Sequence, residues 1–297
     1  MKINEVRPLE HNYSKGLKML ALIPKMLYFC GKLPENRLKS VAIVGSRKNT
    51  SYGKEVAYQA AYQAAKAGAV VVSGLAYGID SIAHRGALDA GGITIAVLGT
   101  PIDQIYPSIH KGLVQEIIEK GGAVISEYPA GAAPRGGTEM KLRFLERNRL
   151  IAGLSDVVLI VEAAARSGTL NTAMHALDTG KDLMAVPADI TRINSAGCNR
   201  LISQGAIPYT ETSDLLNLLF PERIYKNNFR KQALKQLSLL AETPVEAKIL
   251  GQILAGVRDG DEIISATKVS AAEFSQAITM LEIKGAVKSL GANKWGV

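Results

Sequence analysis

Arg47 is the residue whose setting first suggests chemistry. It stands in VAIVGSRKNTSYG (41–53), where an apolar run feeds a glycine, Gly45, ahead of a helical pattern, as at the entry to a nucleotide-binding fold. A dinucleotide fingerprint would carry a second glycine here, so that bare backbone could approach a pyrophosphate. A guanidinium offers a planar fork of donors suited to phosphate instead. Ser46 and Lys48 flank it, and N–H groups at a helix start also favour anions, so the loop reads as a phosphate site. The plainer alternative is a surface arginine in an ordinary turn.

Three further stretches carry polar groups at similar turns. SGLAYGIDSIAH (73–84) supplies Gly74 and Gly78, which would let a ligand approach the backbone, and Asp80, which would bond a sugar or base or, by preference, cap its helix. His84 lies inside that helix with no partner at metal or triad spacing, and it is expected to be structural. KLRFLERNRLIAGLSD (141–156) gathers Lys141, Arg143, Arg147 and Arg149, and the spacing of Lys141, Phe144 and Asn148 by three and four puts them on one helical face; the plainer alternative is a solvated basic helix whose phenylalanine faces the core. A cation, a ring and an amide together would grip a phosphate, stack a base and hydrogen-bond it. EAAARSGTLNTA (162–173) places Ser167, Gly168 and Thr169 at a helix start, a second anion site. Alone it is a cap; with Arg47 it would form two walls of one pocket.

These loops need a frame that brings them together, and the pattern from 41 to about 210 supplies one. Short β-branched runs at 41–45, 69–73, 93–99, 123–126, 156–163, 182–187 and 206–209 alternate with stretches of helical spacing closed by glycine. Strands without polar alternation of their own imply a parallel sheet covered on both faces. The expected architecture is therefore α/β, an extended Rossmann-like, doubly wound, mostly parallel sheet over 41–220, with ligands at the carboxyl ends of the strands. Residues 1–40 are expected to be an arm with one or two short helices packed on that core. The basic stretch 221–240 reads as a linker helix. Over 241–297, Thr243 with Pro244 and then Ser270 open helices, and AVKSLGANKWGV reads as a hairpin, which together describe a small winged-helix module. Its helix AAEFSQAITMLEIKG sets Glu273 and Glu282 against Lys284, poor equipment for reading duplex DNA, so protein contact or packing is the preferred role and DNA reading the alternative.

The 297 residues, 47% hydrophobic and 21% charged, suit one large core and a small appended domain, and exclude disorder throughout. A net charge of +8 favours a polyanionic partner. Cys30 and Cys198, without a CxxC, predict neither a disulfide framework nor a metal site, and fit a reducing cytoplasm. The apolar run LKMLALIPKMLYF is broken by Lys18, Pro24 and Lys25, so no signal peptide or membrane span is expected.

The ordered set VAIVGSR with Tyr52-Gly53, SGLAYGID with His84, TIAVLG followed by Asp103 and Tyr106-Pro107, ISEYP, Arg147-Asn148-Arg149 before LIAGLS, VEA…SGTLNTA, AVPADI and SAGCNRLISQGA resembles the DprA/Smf family of bacterial DNA-processing proteins. The resemblance implies a Rossmann-like domain without catalytic activity or cofactor. It would bind single-stranded DNA, protect incoming strands in natural transformation, self-associate as a homodimer and pass the strand to RecA recombinase. It also implies DNA-facing roles for Ser46, Arg47, Lys141, Phe144 and Arg147 to Arg149, with Ser167 to Thr169 near the pocket. The sequence departs from the family pattern at TPID after VLG and at Ala188, where AVPG is usual. It also implies the absence of an N-terminal helical DNA-associated module that some members carry.

The competing class is a nucleotide-cleaving enzyme of the LOG-type phosphoribohydrolases, whose motif resembles PGGxGTxxE. Here ARSGTLNT puts Thr172 at the acid's position, and Glu162 would equally cap or orient a loop. No carboxylate pair for glycosidic cleavage is evident.

Overall fold

The computed structural model describes residues 2–223 and 240–296. The chain forms two compact units that divide at residues 224 and 225. In the first, nine strands form one sheet. They are β1 (Asn4–Val6), β2 (Leu27–Gly31), β3 (Ser40–Val44), β4 (Val70–Ser73), β5 (Thr94–Leu98), β6 (Ala123–Ser126), β7 (Val157–Ile160), β8 (Asp182–Ala185) and β9 (Ile207–Pro208), in the order β1-β2-β6-β5-β4-β3-β7-β8-β9. All seven strands expected between 41 and 210 are present, and every neighbouring pair from β6 through β3 to β9 is parallel.

Helices α1 (Ser51–Lys66), α2 (Ile79–Asp89), α3 (Lys111–Glu119), α4 (Gly137–Leu154), α5 (Thr169–Asp178), α6 (Ala196–Ser203) and α7 (Thr212–Leu219) lie between and after the strands in chain order. β3 is buried along its whole length, because its two side-chain rows face different helical layers. Ala42 and Val44 join Leu150 and Ile151 of α4 and Ala173 and Ala176 of α5 in the largest apolar cluster. Leu88, Ala96, Leu98, Val114 and Ile117 belong to another. Small residues set the spacing of α1 and α2: Ala57, Ala60, Ala61 and Ala64 are buried, and a Cβ on Gly86 would come 2.5 Å from the Tyr58 carbonyl.

The sheet order reverses between β3 and β7. Chain leaves β3 toward β4 on one side, while β7 opens the other half, so loops after these two strands diverge and leave a crevice at their carboxyl ends. Arg47 follows β3, and Ser167 to Thr169 follow β7.

The first forty residues differ from expectation. They hold a short 3-10 helix (Ser14–Met19), but also β1 and β2, which extend the sheet antiparallel beside β6. Short strands at a sheet edge, here half-buried residues without clear alternation, carry little period-two signal. Packing on the core does occur: Tyr13 and Leu17 are fully buried, and a Cβ on Gly153 of α4 would collide with Leu17.

The second unit contains helices Pro244–Leu254, Gly260–Thr267 and Ala271–Ile283, then a hairpin of Lys288–Gly291 and Lys294–Gly296. Thr243 accepts from the Glu246 N–H, and Ser270 and Glu273 form a reciprocal capping box, as their positions foretold. Phe274, Ile278 and Leu281 of the third helix close on Ile249, Ile253 and Ile263. This is the winged-helix arrangement. The expected linker helix at 221–240 lies almost wholly outside the described residues. No described helix is long and apolar enough to cross a membrane.

Candidate nucleic-acid interface

A cavity of about 330 Å³ opens at the sheet's reversal point. One wall is Gly45, Ser46 and Arg47 after β3; another is Arg166, Ser167, Gly168 and Thr169 before α5; Phe144 and Asn148 of α4 line the third side. The two anion loops read from the sequence thus share one pocket.

Arg47 is exposed and makes no ion pair among the described residues. Its guanidinium lies over the Phe144 ring, 5.8 Å from the centroid, so cation and ring already stack at the mouth of the cavity. Phe144 is held from behind: a Cβ on Gly99 would come 2.6 Å from its ring, and Tyr106 packs beside it at 5.4 Å. Lys141, one turn earlier on the same face of α4, is exposed and unpaired but does not line the cavity, and neither does Lys48. The Lys48 carbonyl accepts from Asn194 Nδ2 at 2.9 Å, which ties the β3 loop to the loop before α6.

At the opposite wall the Ser167 hydroxyl accepts from the Thr169 N–H at 3.2 Å. Asn148 Nδ2 donates to the Gly168 carbonyl and to Asn171 Oδ1, each at 3.3 Å, and so fixes the start of α5. The N–H groups of Ser167 and Gly168 precede the helix and have no protein acceptor among the described residues. With the positive end of the α5 dipole behind them, they form an anion-binding wall. Arg166 adds a cation that the sequence reading passed over, although a basic residue directly before such a helix start was a usable signal.

Several expected ligand contacts also hold the protein itself together. Arg147 is only 4% exposed. It donates Nη1 to the carbonyls of Gly74 (2.6 Å) and Val97, and Nε to Asn148 Oδ1, which joins the ends of β4 and β5, and with Asp80 it lines the cavity floor. Burial pulls its pKa down to about 10, against the attraction of Asp80, and it stays cationic at neutral pH. Asp80 is buried too and accepts from the Gly74 N–H at 3.1 Å. Burial pushes its carboxyl up, opposed by Arg147 and by the N–H groups of Ala76 and Gly74. Asp80 is the second residue of α2 and does not occupy the cap position, which is Gly78.

Arg149 turns to the other side of α4 and pairs with Glu127 at 2.6 Å, away from the cavity lining. Consecutive residues on a helix point about 100° apart, so Arg147, Asn148 and Arg149 cannot all face one ligand. The glycines also serve the protein's own packing. A Cβ on Gly74 would strike the Arg147 guanidinium at 2.5 Å; one on Gly78, at φ +76°, would strike the Ser46 carbonyl at 2.4 Å. Ile79 N–H donates to that same carbonyl at 3.2 Å, which docks α2 onto the Arg47 loop.

Glu162 orients a loop. Its carboxylate accepts from the Thr50 N–H (3.0 Å) and hydroxyl (2.6 Å), and Thr50 in turn caps α1 through the Gly53 N–H at 3.1 Å. His84 is fully buried with Nδ1 against the Thr94 hydroxyl at 2.7 Å, as its structural reading required. Among the described residues no cluster of three or more His, Cys, Asp or Glu side chains could hold a metal ion.

Comparison with known proteins agrees with this fold. DNA processing protein A from Streptococcus pneumoniae superposes with a TM-score of 0.64 at 37% identity, covering 73% of this chain and 74% of that one. The Helicobacter pylori protein superposes equally well at 33% identity, covering 75% and 97%, and its structure was described for a single-stranded DNA binding mode. Protein Smf of Escherichia coli is 41% identical over 198 residues, 66% of this chain and 52% of that protein. The chain thus spans about half the length of this relative and of the Mycobacterium tuberculosis one. The DprA winged helix domain profile matches residues 234–293. The profile of DNA recombination-mediator protein A matches residues 5–220, and the chain belongs to that family, the DprA/Smf proteins.

Proposed function

We propose that this chain binds single-stranded DNA without sequence preference, in the cavity between β3 and β7. The observation that carries this reading is the unpaired Arg47 guanidinium stacked on Phe144, facing the α5 N-terminus. Arg47 and the Ser167 and Gly168 N–H groups suit successive strand phosphates, and Phe144 suits an unstacked base, which duplex DNA does not offer. The titled binding mode of the H. pylori relative supports the same ligand class.

Charge reversal tests it. Arg47→Glu is expected to lower affinity for an oligothymidylate at least about tenfold in an electrophoretic shift, while the parent prefers it to a duplex of equal length. Parent-like binding by the variant, or equal binding of duplex by the parent, refutes the reading.

The family supports a wider role: protection of strands entering during natural transformation, transfer to RecA recombinase, and action as a homodimer in the cytoplasm. Binding without catalysis is part of the same proposal. Both Glu162 oxygens are engaged by Thr50, and Thr172 stands buried where a phosphoribohydrolase would carry its acid. Nucleoside monophosphates incubated with the protein are expected to release no free base.

A further inference from the structure

Two aromatic pairs, Tyr106–Phe144 and Tyr77–His110, extend outward from the cavity lining. Tyr106 lies against Phe144, with ring planes tilted by 40°, yet is 42% exposed. Tyr77 directly follows Ala76, a cavity-lining residue, and is 47% exposed. Its ring meets that of His110 at 5.5 Å, and His110 is pinned in place by its Nδ1 contact with the Leu75 carbonyl at 2.8 Å. Leu75 itself holds a left-handed φ of +60°. Neither tyrosine belongs to an apolar core cluster, and neither hydroxyl has a protein partner among the described residues.

These rings sit on the loops after β4 and β5, the two strands that follow β3 in the sheet on the side away from β7. They continue the line of Arg47 and Phe144 along the carboxyl edge, away from β7. Exposed Lys111 follows His110, and exposed Lys141 precedes Phe144 by one turn, so cations accompany the rings on both loop and helix. Rings interleaved with unpaired lysines match the chemistry of a strand with unpaired bases and regular phosphates.

We propose that Tyr106 and the Tyr77–His110 pair form a second base-stacking stretch, which takes the bases that follow those held at Phe144. This rests on the single-stranded DNA reading of the cavity and extends it. The occupant is the same strand, because Tyr106 packs against Phe144 and lies on the same loop as His110, which packs against Tyr77. Stacking tolerates any base, so the stretch lengthens the footprint without adding sequence preference.

The test measures anisotropy of labelled oligothymidylates of about 6 and about 20 nucleotides against the full chain. Tyr77 does not line the cavity and its ring packs on His110, so Tyr77→Leu probes the stretch and leaves the cavity lining intact. It is expected to weaken the longer oligomer about fivefold or more and leave the shorter unchanged, while Tyr77→Phe binds both as the parent does. Arg47→Glu should weaken both. If Tyr77→Leu binds the longer oligomer like the parent while Arg47→Glu loses both, the second stretch is overturned and the cavity stands. If Arg47→Glu keeps both, the cavity reading itself fails. Photo-crosslinking with 5-bromouracil strands should give adducts at Tyr77 or Tyr106; adducts confined to α4 and α5 would also overturn the proposal.

Discussion

At the scale of single residues, the site separates groups that face a ligand from groups that hold the floor. Arg47 and Arg147 are both arginines near Phe144, but one is solvent-facing and unpaired while the other is buried and committed to two carbonyls. Exposure divides them, and neighbouring sequence did not announce it. His84 shows what a buried polar group contributes to pH behaviour. Burial lowers its pKa to about 3, from a usual value of 6.5, and its Nε2 lacks a partner, so the native state keeps the ring neutral. The folded pKa is below the unfolded one. The stability this confers is therefore complete above pH 6.5 and is lost as pH falls from 6.5 toward 3. His84→Gln removes that term: between pH 7 and pH 4, urea unfolding should show the parent losing about 3 kcal/mol more than the variant. An unchanged difference between them across that range would refute it.

At the scale of elements, the site is built by short links between loops of different strands. Glu162 after β7 reaches Thr50 before α1, and Gly78 lets α2 dock on the Ser46 carbonyl. Gly78→Ala adds a Cβ where φ is +76° and the nearest oxygen is 2.4 Å away, so the Arg47 loop must shift. The variant should lose about 1–3 kcal/mol of stability, measured by urea unfolding, and bind single-stranded DNA more weakly than that loss alone explains. Binding equal to the parent would show that the loop position does not matter. The capped helices of the C-terminal unit were legible because Thr243-Pro244 and Ser270 with Glu273 satisfy helix-end donors locally. Strands β1 and β2 were not, because β1 joins the sheet only through β2, and β2 pairs with β6, which lies almost a hundred residues away in sequence.

At the scale of the whole molecule, every cavity residue belongs to the first unit. The C-terminal unit's third helix is followed at its cap by Lys284, whose ammonium is engaged by Glu246 (2.9 Å) and Glu242 (3.2 Å), which leaves that helix end little positive charge to offer a phosphate. Deletion of residues 240–297 should accordingly leave oligothymidylate affinity within about twofold of the parent, with the same salt slope of roughly 0.7 per phosphate contact, while RecA loading is lost. A large loss of affinity would move part of the DNA site into the winged helix, and retained loading would assign the RecA contact to the α/β unit. The seven parallel strands, their order of loops and the winged helix were determined by the sequence itself, since strand runs, glycine turns and caps are local signals. The resemblance of its ordered motifs also sufficed for the family. The tertiary structure alone decided which of the charged residues meet. Direction around α4 and distance across the sheet's reversal point are set by packing, and they brought Arg47, Phe144 and Arg166 together, turned Arg149 to Glu127 and set the nearly buried Arg147 into the cavity floor.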